Sequence, residues 1–148
     1  MAATKSNSAE FRTITISRVI DAPRSLVFDA MIDPQHLVHW FHAGGGWQTP
    51  YAKTDPKKGG KFDIGFAGPD GKLAFAFEGE FTEVTPPSRL AYVIADGRPV
   101  TITLTEAGKN KTNLEVILAL ESQNSEEQQR EGWTEMFINL GKYLATIV

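Results

Sequence analysis

The sequence predicts an α+β fold in which one antiparallel sheet is covered by helices on one face. Three observations predict it: consecutive alternating segments joined by turn sequences, two short helix signals near the N-terminus, and one long amphipathic segment at the C-terminus. Strands that follow one another directly pair antiparallel, because parallel strands need a long crossover. We therefore expect six to seven strands, two short helices after the first strand and a long C-terminal helix.

The N-terminal part predicts a strand followed by the two short helices. Apolar and polar residues alternate from Phe11 to Ile20, which is typical of a half-buried strand. Pro23 and Pro34, each closely preceded by an aspartate, are helix-start signals. The second helix is expected to pass through Trp40 and to end at the glycines of residues 44–46.

The middle of the chain predicts strands separated by tight turns. Asp-Gly, Pro-Pro and Gly-Lys-Asn sequences supply the backbone angles that such turns need. A loop rich in Lys, Pro and Gly is expected from Lys53 to Gly60. The strands are predicted at Lys61–Ala67, Leu73–Val84, Arg89–Ala95, Val100–Glu106 and Thr112–Glu121.

The C-terminal segment carries the strongest helix signal. Ser125 and Gln128 form a capping-box pattern, and two glutamates occupy the first turn, where the helix dipole favours anions. The helix is expected to run to the end of the chain, about 30 Å at 1.5 Å per residue. Gly132 and Gly141 each weaken it by about 1 kcal/mol, so close approach of another element or a ligand is expected there. Its apolar stripe consists of Trp133, Phe137, Leu140, Leu144 and Ile147.

Strand alternation places phenylalanines on one face of the sheet and carboxylates on the other. Asp63, Glu78 and Glu80 are predicted to face away from the phenylalanines. The aromatic side chains either fill a core or line a concave, mostly apolar ligand site. In the second interpretation, Tyr92 and Trp133 supply the polar tips.

Composition limits the classes of function. The 148 residues include 18 acidic and 15 basic side chains and no cysteine, which fits one domain over residues 11–148 after a disordered lead-in at residues 1–10. The missing cysteines exclude disulfides, thiol nucleophiles and cysteine-ligated metals. A net charge of −3 argues against nucleic-acid binding. Without a signal peptide or an apolar run of membrane-spanning length, the protein is expected in the cytoplasm; the oligomeric state is not predicted.

Three histidines and three carboxylates are the candidate groups for metal binding or acid–base catalysis. His36, His39 and His42 recur every third residue, but no carboxylate accompanies them and glycines end the helix, so solvated side chains are expected. A carboxylate on the outer face could act in catalysis only if a bulge near Gly79 turned it inward. We therefore predict no catalytic residue, no metal and no cofactor.

The order and spacing of short motifs resemble the SRPBCC (START-like) superfamily. Within it, the sequence resembles the family named after the C-terminal domain of the activator of the ninety-kilodalton heat-shock protein ATPase. The resemblance covers about residues 11–147. It rests on residues 21–23, 27–30, 33–34, 37, 40–41, 59–62, 79, 83–84, 86–87, 89–90, 132–133 and 140.

The resemblance implies a helix-grip fold, in which a curved sheet wraps around the C-terminal helix with a cavity between them. Relatives use this cavity for lipids, sterols, plant hormones, polyketides or other hydrophobic ligands. The leading hypothesis is therefore that this domain binds a small hydrophobic molecule. The matching cavity positions are Trp40, Phe41, Phe62, Ile64, Phe75, Phe77, Tyr92, Trp133 and Phe137.

Two other hypotheses follow from the same resemblance. Some relatives are cyclases or dehydratases, so an enzyme that uses the same cavity is one alternative. The other is a chaperone-associated interaction module, as the family name suggests. The sequence does not include the chaperone-binding domain that accompanies this domain in the eukaryotic co-chaperone, which weakens this third hypothesis.

Overall fold

A seven-stranded antiparallel sheet in the order β1-β7-β6-β5-β4-β3-β2 organises the molecule. The computed structural model describes residues 11–147, so the predicted lead-in lies outside the described residues. The elements are β1 (Thr13–Ile20), α1 (Arg24–Ile32), α2 (Pro34–Trp40), β2 (Ala52–Thr54), β3 (Lys61–Ala67), β4 (Leu73–Thr85), β5 (Arg89–Ile94), β6 (Pro99–Gly108), β7 (Lys111–Ala119) and α3 (Glu126–Ala145). The predicted α+β fold is confirmed.

The first strand pairs with the last one and forms one edge of the sheet. Thr13 pairs with Ala119 and Ile20 with Thr112, without a register shift between them. Helix α3 begins beside this edge and buries Phe137, Leu140 and Leu144 against the sheet. Apolar burial of this kind stabilises the fold by roughly 25 cal/mol per Å².

Local capping explains where α2 and α3 begin. The Asp33 side chain accepts a hydrogen bond from the Gln35 backbone N–H and Pro34 occupies the first helical position of α2. At the start of α3, Ser125 and Gln128 form the predicted capping box. These caps satisfy backbone N–H groups that a helix leaves without partners.

Three expectations about element boundaries were wrong. The segment predicted as a loop from Lys53 contains the end of β2, which pairs with β3 over Ala52–Thr54. Helix α3 ends at Ala145 and does not run to the end of the chain. Ile147 lies beyond α3 and is exposed, so it does not extend the apolar stripe; Met136 and Gln129 are buried on the helix instead.

The sheet accommodates large rings by a glycine and a bulge. Gly79 is paired with Phe62, and a side chain at Gly79 would collide with the Phe62 ring and with the Val93 carbonyl oxygen. A register shift between Phe81 and Glu83 lets both Phe81 and, beyond the bulge, Val84 contact the core. The bulge therefore lets Phe81 and Val84 both contact the core although they are three positions apart in the strand.

Candidate functional site

A groove of about 580 Å³ opens between the first half of α3, strands β3 and β4, and the loop after α2. Its volume falls within the range of small-molecule sites, which is roughly 300–1,000 Å³. One part of the groove is lined by aromatic side chains, and the other by polar side chains from the segments before and at the start of α3. The lining residues are Phe41, Ala43, Trp47, Phe66, Phe75, Phe77, Arg98, Glu121, Asn124, Gln128, Gln129, Gly132, Trp133 and Met136.

A second, inner cavity of about 20 Å³ lies deeper between the sheet and α3. This is space for about one water molecule. The aromatic side chains that surround it are therefore packed closely together. It is lined by Met31, Leu37, Trp40, Phe41, Thr54, Phe62, Ile64, Phe77, Phe81, Leu90, Tyr92, Ile102, Trp133 and Phe137.

Phe41, Phe77 and Trp133 line both spaces and form the partition between them. The ring centroids of Phe41 and Phe77 are 5.5 Å apart, and those of Phe77 and Trp133 are 6.3 Å apart with the planes nearly perpendicular. Such tilted and edge-to-face contacts are favourable geometries for aromatic pairs. The partition is therefore formed by three aromatic side chains that pack against one another.

The structure separates the nine predicted cavity residues into three groups. Phe75 lies at the groove and is 53% exposed, and its ring is tilted against that of Phe66, with the centroids 4.8 Å apart. Phe41, Phe77 and Trp133 belong to the partition. The inner cavity alone is lined by Trp40, Phe62, Ile64, Tyr92 and Phe137.

Two polar atoms in the aromatic region have no hydrogen-bond partner within residues 11–147. They are the Tyr92 hydroxyl and the Trp133 indole N–H, whereas the Trp40 indole donates to the Ala30 carbonyl at 2.8 Å. Tyr92 is only 6% exposed, and burial raises the pKa of its phenol, which the positive charge of Arg98 partly opposes. At neutral pH its hydroxyl is therefore a hydrogen-bond donor and not a base.

The polar part of the groove contains residues that sequence reasoning did not identify. Gln129 is buried, and its side chain bridges the backbone of Glu121 and Asn124 with bonds of 2.9–3.0 Å. Burial acts to raise the pKa of Glu121, but N–H groups of Asn124 and Gln123 outweigh it and keep that pKa below its ordinary value. Arg98 reaches the groove from the turn between β5 and β6. Trp47 and Met136 were also missed.

Two hydrogen bonds join the loop of residues 42–46 to α3 beside the groove. The Asn139 amide donates to the His42 carbonyl at 2.6 Å, and the Gly44 N–H donates to the Glu135 carboxylate at 3.0 Å. The Thr49 hydroxyl donates to Phe41, so it accepts from the His42 Nδ1 at 3.1 Å. Partial burial lowers the pKa of His42.

The three histidines do not converge. His36 Nδ1 lies 2.6 Å from the Tyr143 hydroxyl, and the His39 ring stacks on Tyr143 with centroids 5.3 Å apart. These contacts join α2 to α3, while His42 belongs to the loop. Over residues 11–147, no group of three His, Cys, Asp or Glu side chains could hold a metal ion.

Strand register places the carboxylates on the outer face, as predicted. Asp63 is paired with Glu78, whereas Phe62 is paired with Gly79 and Ile64 with Phe77. The Tyr51 hydroxyl donates to Asp63 at 2.9 Å. The bulge of β4 lies beyond these carboxylates and leaves them facing outward.

Comparison with known proteins reveals a family and several similar folds. The family model described as "Activator of Hsp90 ATPase homolog 1-like protein" matches residues 21–145. An AHSA1-like protein from Aeromonas hydrophila is 29% identical, with 92% of this chain and 94% of that chain covered and a TM-score of 0.84. A protein from Cytophaga hutchinsonii is 30% identical, with coverages of 90% and 92% and a TM-score of 0.75.

A third similar structure is CalU16 from Micromonospora echinospora, which is 27% identical, with coverages of 90% and 76% and a TM-score of 0.66. No curated protein matches the sequence. None of the helices in residues 11–147 has the length and apolar character needed to cross a membrane.

Proposed function

Since this chain belongs to the activator of Hsp90 ATPase homolog 1-like family, we propose that it binds a small, largely hydrophobic molecule in the groove between its sheet and α3. The START-like resemblance implies that relatives bind ligands in this cavity. The proposal extends that use of the cavity to this chain. The groove itself is the main support, because it combines an apolar floor with polar side chains and with the Trp133 indole N–H, which lacks a partner among the described residues. Such a combination is typical of small-molecule sites.

The apolar part of the ligand lies on aromatic side chains. Trp47, Phe75 and Trp133 line the groove, and Phe75 is largely exposed. Covering such rings removes apolar surface from water, at roughly 25 cal/mol per Å². Contact with the aromatic rings therefore supplies most of the affinity. The shape of the groove gives little specificity, since apolar pockets discriminate poorly between molecules that differ by a methylene.

The partition limits how deeply a ligand can enter between the sheet and α3. With the rings of Phe41, Phe77 and Trp133 as they stand, the inner cavity has space for about one water molecule. Rotation of Phe77 or Trp133 would join this cavity to the groove and bring a ligand oxygen within reach of the Tyr92 hydroxyl. A ligand with an apolar body and a hydrogen-bond acceptor suits this arrangement.

A blocked groove tests the proposal without removing any core contact. A Cβ at Gly132 would meet no atom within 4 Å, so Gly132→Leu places a side chain in the groove. The matched control is Glu131→Leu, which puts the same side chain at an exposed neighbouring position. Fluorescence of the neutral probe N-phenylnaphthylamine reports binding to each protein.

The proposal expects saturable binding to the wild type and to Glu131→Leu, with affinity about ten-fold or more lower in Gly132→Leu. Far-ultraviolet circular dichroism checks that both variants keep the fold. Equal probe affinity in all three proteins, or no binding to the wild type, would overturn the proposal.

A further inference from the structure

Arg98 occupies a fixed position in the polar part of the groove. It follows the turn between β5 and β6, where its carbonyl accepts from the Ile94 N–H at 2.9 Å and the Gly97 N–H donates to the Ile94 carbonyl at 2.8 Å. Its side chain is 14% exposed. A guanidinium held this way loses little freedom when it binds a further group, because its side chain is already ordered.

Some N–H donors of the Arg98 guanidinium have no acceptor in the part of the protein that the structure describes. Its Nε donates to Asp96 at 2.7 Å and its Nη1 to the Ala119 carbonyl at 3.4 Å. Nη2 has no hydrogen-bond partner within residues 11–147, and it is not sealed from solvent. Of the five N–H groups of the side chain, three therefore remain for an acceptor, and both Nη2 hydrogens are among them, one of which lies on the Nη1–Nη2 edge that carboxylates bind in bidentate fashion.

The neighbouring carboxylates do not use this edge. Glu121 accepts from the Gln123 and Asn124 backbone N–H groups at 2.6 and 2.7 Å and from the Asn124 amide at 2.8 Å. Asp96 is engaged with Nε, and its side chain is 54% exposed, so water and salt screen its charge. The positive charge of Arg98 also helps to lower the pKa of Glu121, so an incoming carboxylate has to gain its affinity from hydrogen bonds to the free edge of Arg98.

We infer that the ligand of this groove is amphipathic and carries a carboxylate, which binds the Nη1–Nη2 edge of Arg98 while the apolar part lies on Trp133 and Phe75. The inference rests on the proposed ligand-binding function and specifies the ligand class. It also assigns Arg98 as the residue that orients the ligand along the groove. A bidentate charged pair of this kind adds geometric specificity as well as affinity.

A matched ligand pair tests the inference. Dodecanoate and dodecanol differ only in the head group, and each is measured by its displacement of N-phenylnaphthylamine from the wild type. We expect dodecanoate to bind about ten-fold or more tightly than dodecanol, since a hydrogen bond to a charged group is worth that factor. Arg98→Gln should reduce this preference to about two-fold or less, mainly by weakening the binding of dodecanoate.

Two further variants keep the test independent of folding defects. Arg98→Lys retains the charge without the forked donors, so an intermediate preference is expected. Arg18→Gln makes the same charge change at an exposed position on the edge strand β1 and should keep the full preference. Thermal unfolding of each variant confirms that it is folded.

The two proposals fail in different ways. If N-phenylnaphthylamine binds in the groove but dodecanoate and dodecanol have equal affinity for the wild type, the role of Arg98 is wrong and ligand binding stands. The same conclusion holds if Arg98→Gln keeps the preference. If the neutral probe does not bind, or Gly132→Leu does not affect it, ligand binding in the groove is itself wrong.

Discussion

The Trp133 indole meets the Phe77 ring nearly edge-on, with centroids 6.3 Å apart and an angle of 71° between the planes. Trp133 comes from α3 and Phe77 from β4, so this contact joins the helix to the sheet. It also separates the open groove from the inner cavity. The size of the ligand site therefore depends on a pair of side chains, whose rotamers change far more readily than the backbone.

Helix stability and groove volume are coupled at Gly132. Gly132→Ala should raise the free energy of unfolding by about 1 kcal/mol, because alanine has the higher helix propensity and its Cβ meets nothing within 4 Å. It should also weaken N-phenylnaphthylamine binding several-fold, since the methyl group enters the groove. Urea denaturation and probe titration measure the two effects.

Gly141→Ala is the matched control for that substitution. Its Cβ would make an ordinary contact of 3.9 Å with Ile20 Cδ1, away from the groove. We expect a similar gain in stability with no change in probe affinity. Equal weakening of probe binding by both alanines would mean that the effect comes from the helix and not from the groove.

The hydroxyl of Tyr92 should contribute little stability in the ligand-free protein. Tyr92→Phe removes a hydroxyl that has no protein partner in residues 11–147 but is not sealed from solvent, so the free energy of unfolding should change by less than about 1 kcal/mol. Tyr51→Phe makes the same change on the outer face, where it removes the bond to Asp63 and should lower stability by up to about 1 kcal/mol. A clear loss of stability in Tyr92→Phe, measured by urea denaturation, would contradict the unpaired state of this hydroxyl.

His42 should make the protein less stable in mild acid. Burial holds the pKa of His42 below its ordinary value of 6.5, so the unfolded chain binds a proton more readily than the folded one. The stability that this difference provides is present above pH 6.5 and is lost as the pH falls through the lower, folded-state pKa.

Urea denaturation across this pH range is expected to give a smaller loss in His42→Asn than in the wild type. A proton NMR titration of His42 in the folded protein checks the cause. A titration midpoint of 6.5 or above would contradict this explanation.

The loop of residues 42–46 should be held closed by its two bonds to α3. Asn139→Ala removes the 2.6 Å bond to the His42 carbonyl, and the loss of one such hydrogen bond is worth about 1 kcal/mol. Amide hydrogen exchange within the loop should accelerate by about five-fold, which corresponds to that free energy. The exchange of β7 amides should not change, because this strand lies away from the loop. Unchanged exchange in the loop would mean that the bond does not hold it.

Local signals in the sequence predict most of the fold. The capping box at Ser125 and the alternation of Phe62 with Asp63 depend only on neighbouring residues, and both are confirmed. Strand β2 was missed because it has only three residues, Ala52–Thr54, inside a segment rich in Lys and Pro. Its pairing with β3 depends on tertiary structure and leaves no periodic pattern.

Less of the candidate site than of the fold can be predicted from the sequence. Arg98 and Gln129 meet at the groove because of the β5–β6 turn and the start of α3, and neither belongs to a motif. The partition could not be foreseen either, because packing volumes and ring orientations follow from three-dimensional contacts. A single clue was available for Trp47, which directly follows three glycines in a predicted loop, because loops carry a disproportionate share of binding residues.

The indole N–H resonances of the three tryptophans test ligand binding in the groove most directly. Trp133 lines the groove and the inner cavity, Trp47 lines the groove, and the Trp40 indole is buried with its N–H bonded to Ala30. Single tryptophan-to-phenylalanine variants assign the three signals in a proton–nitrogen correlation spectrum. During titration with N-phenylnaphthylamine, we predict a large, saturable shift of the Trp133 signal, a smaller one for Trp47 and almost none for Trp40. A Trp133 signal that stays in place while the probe binds would contradict the account.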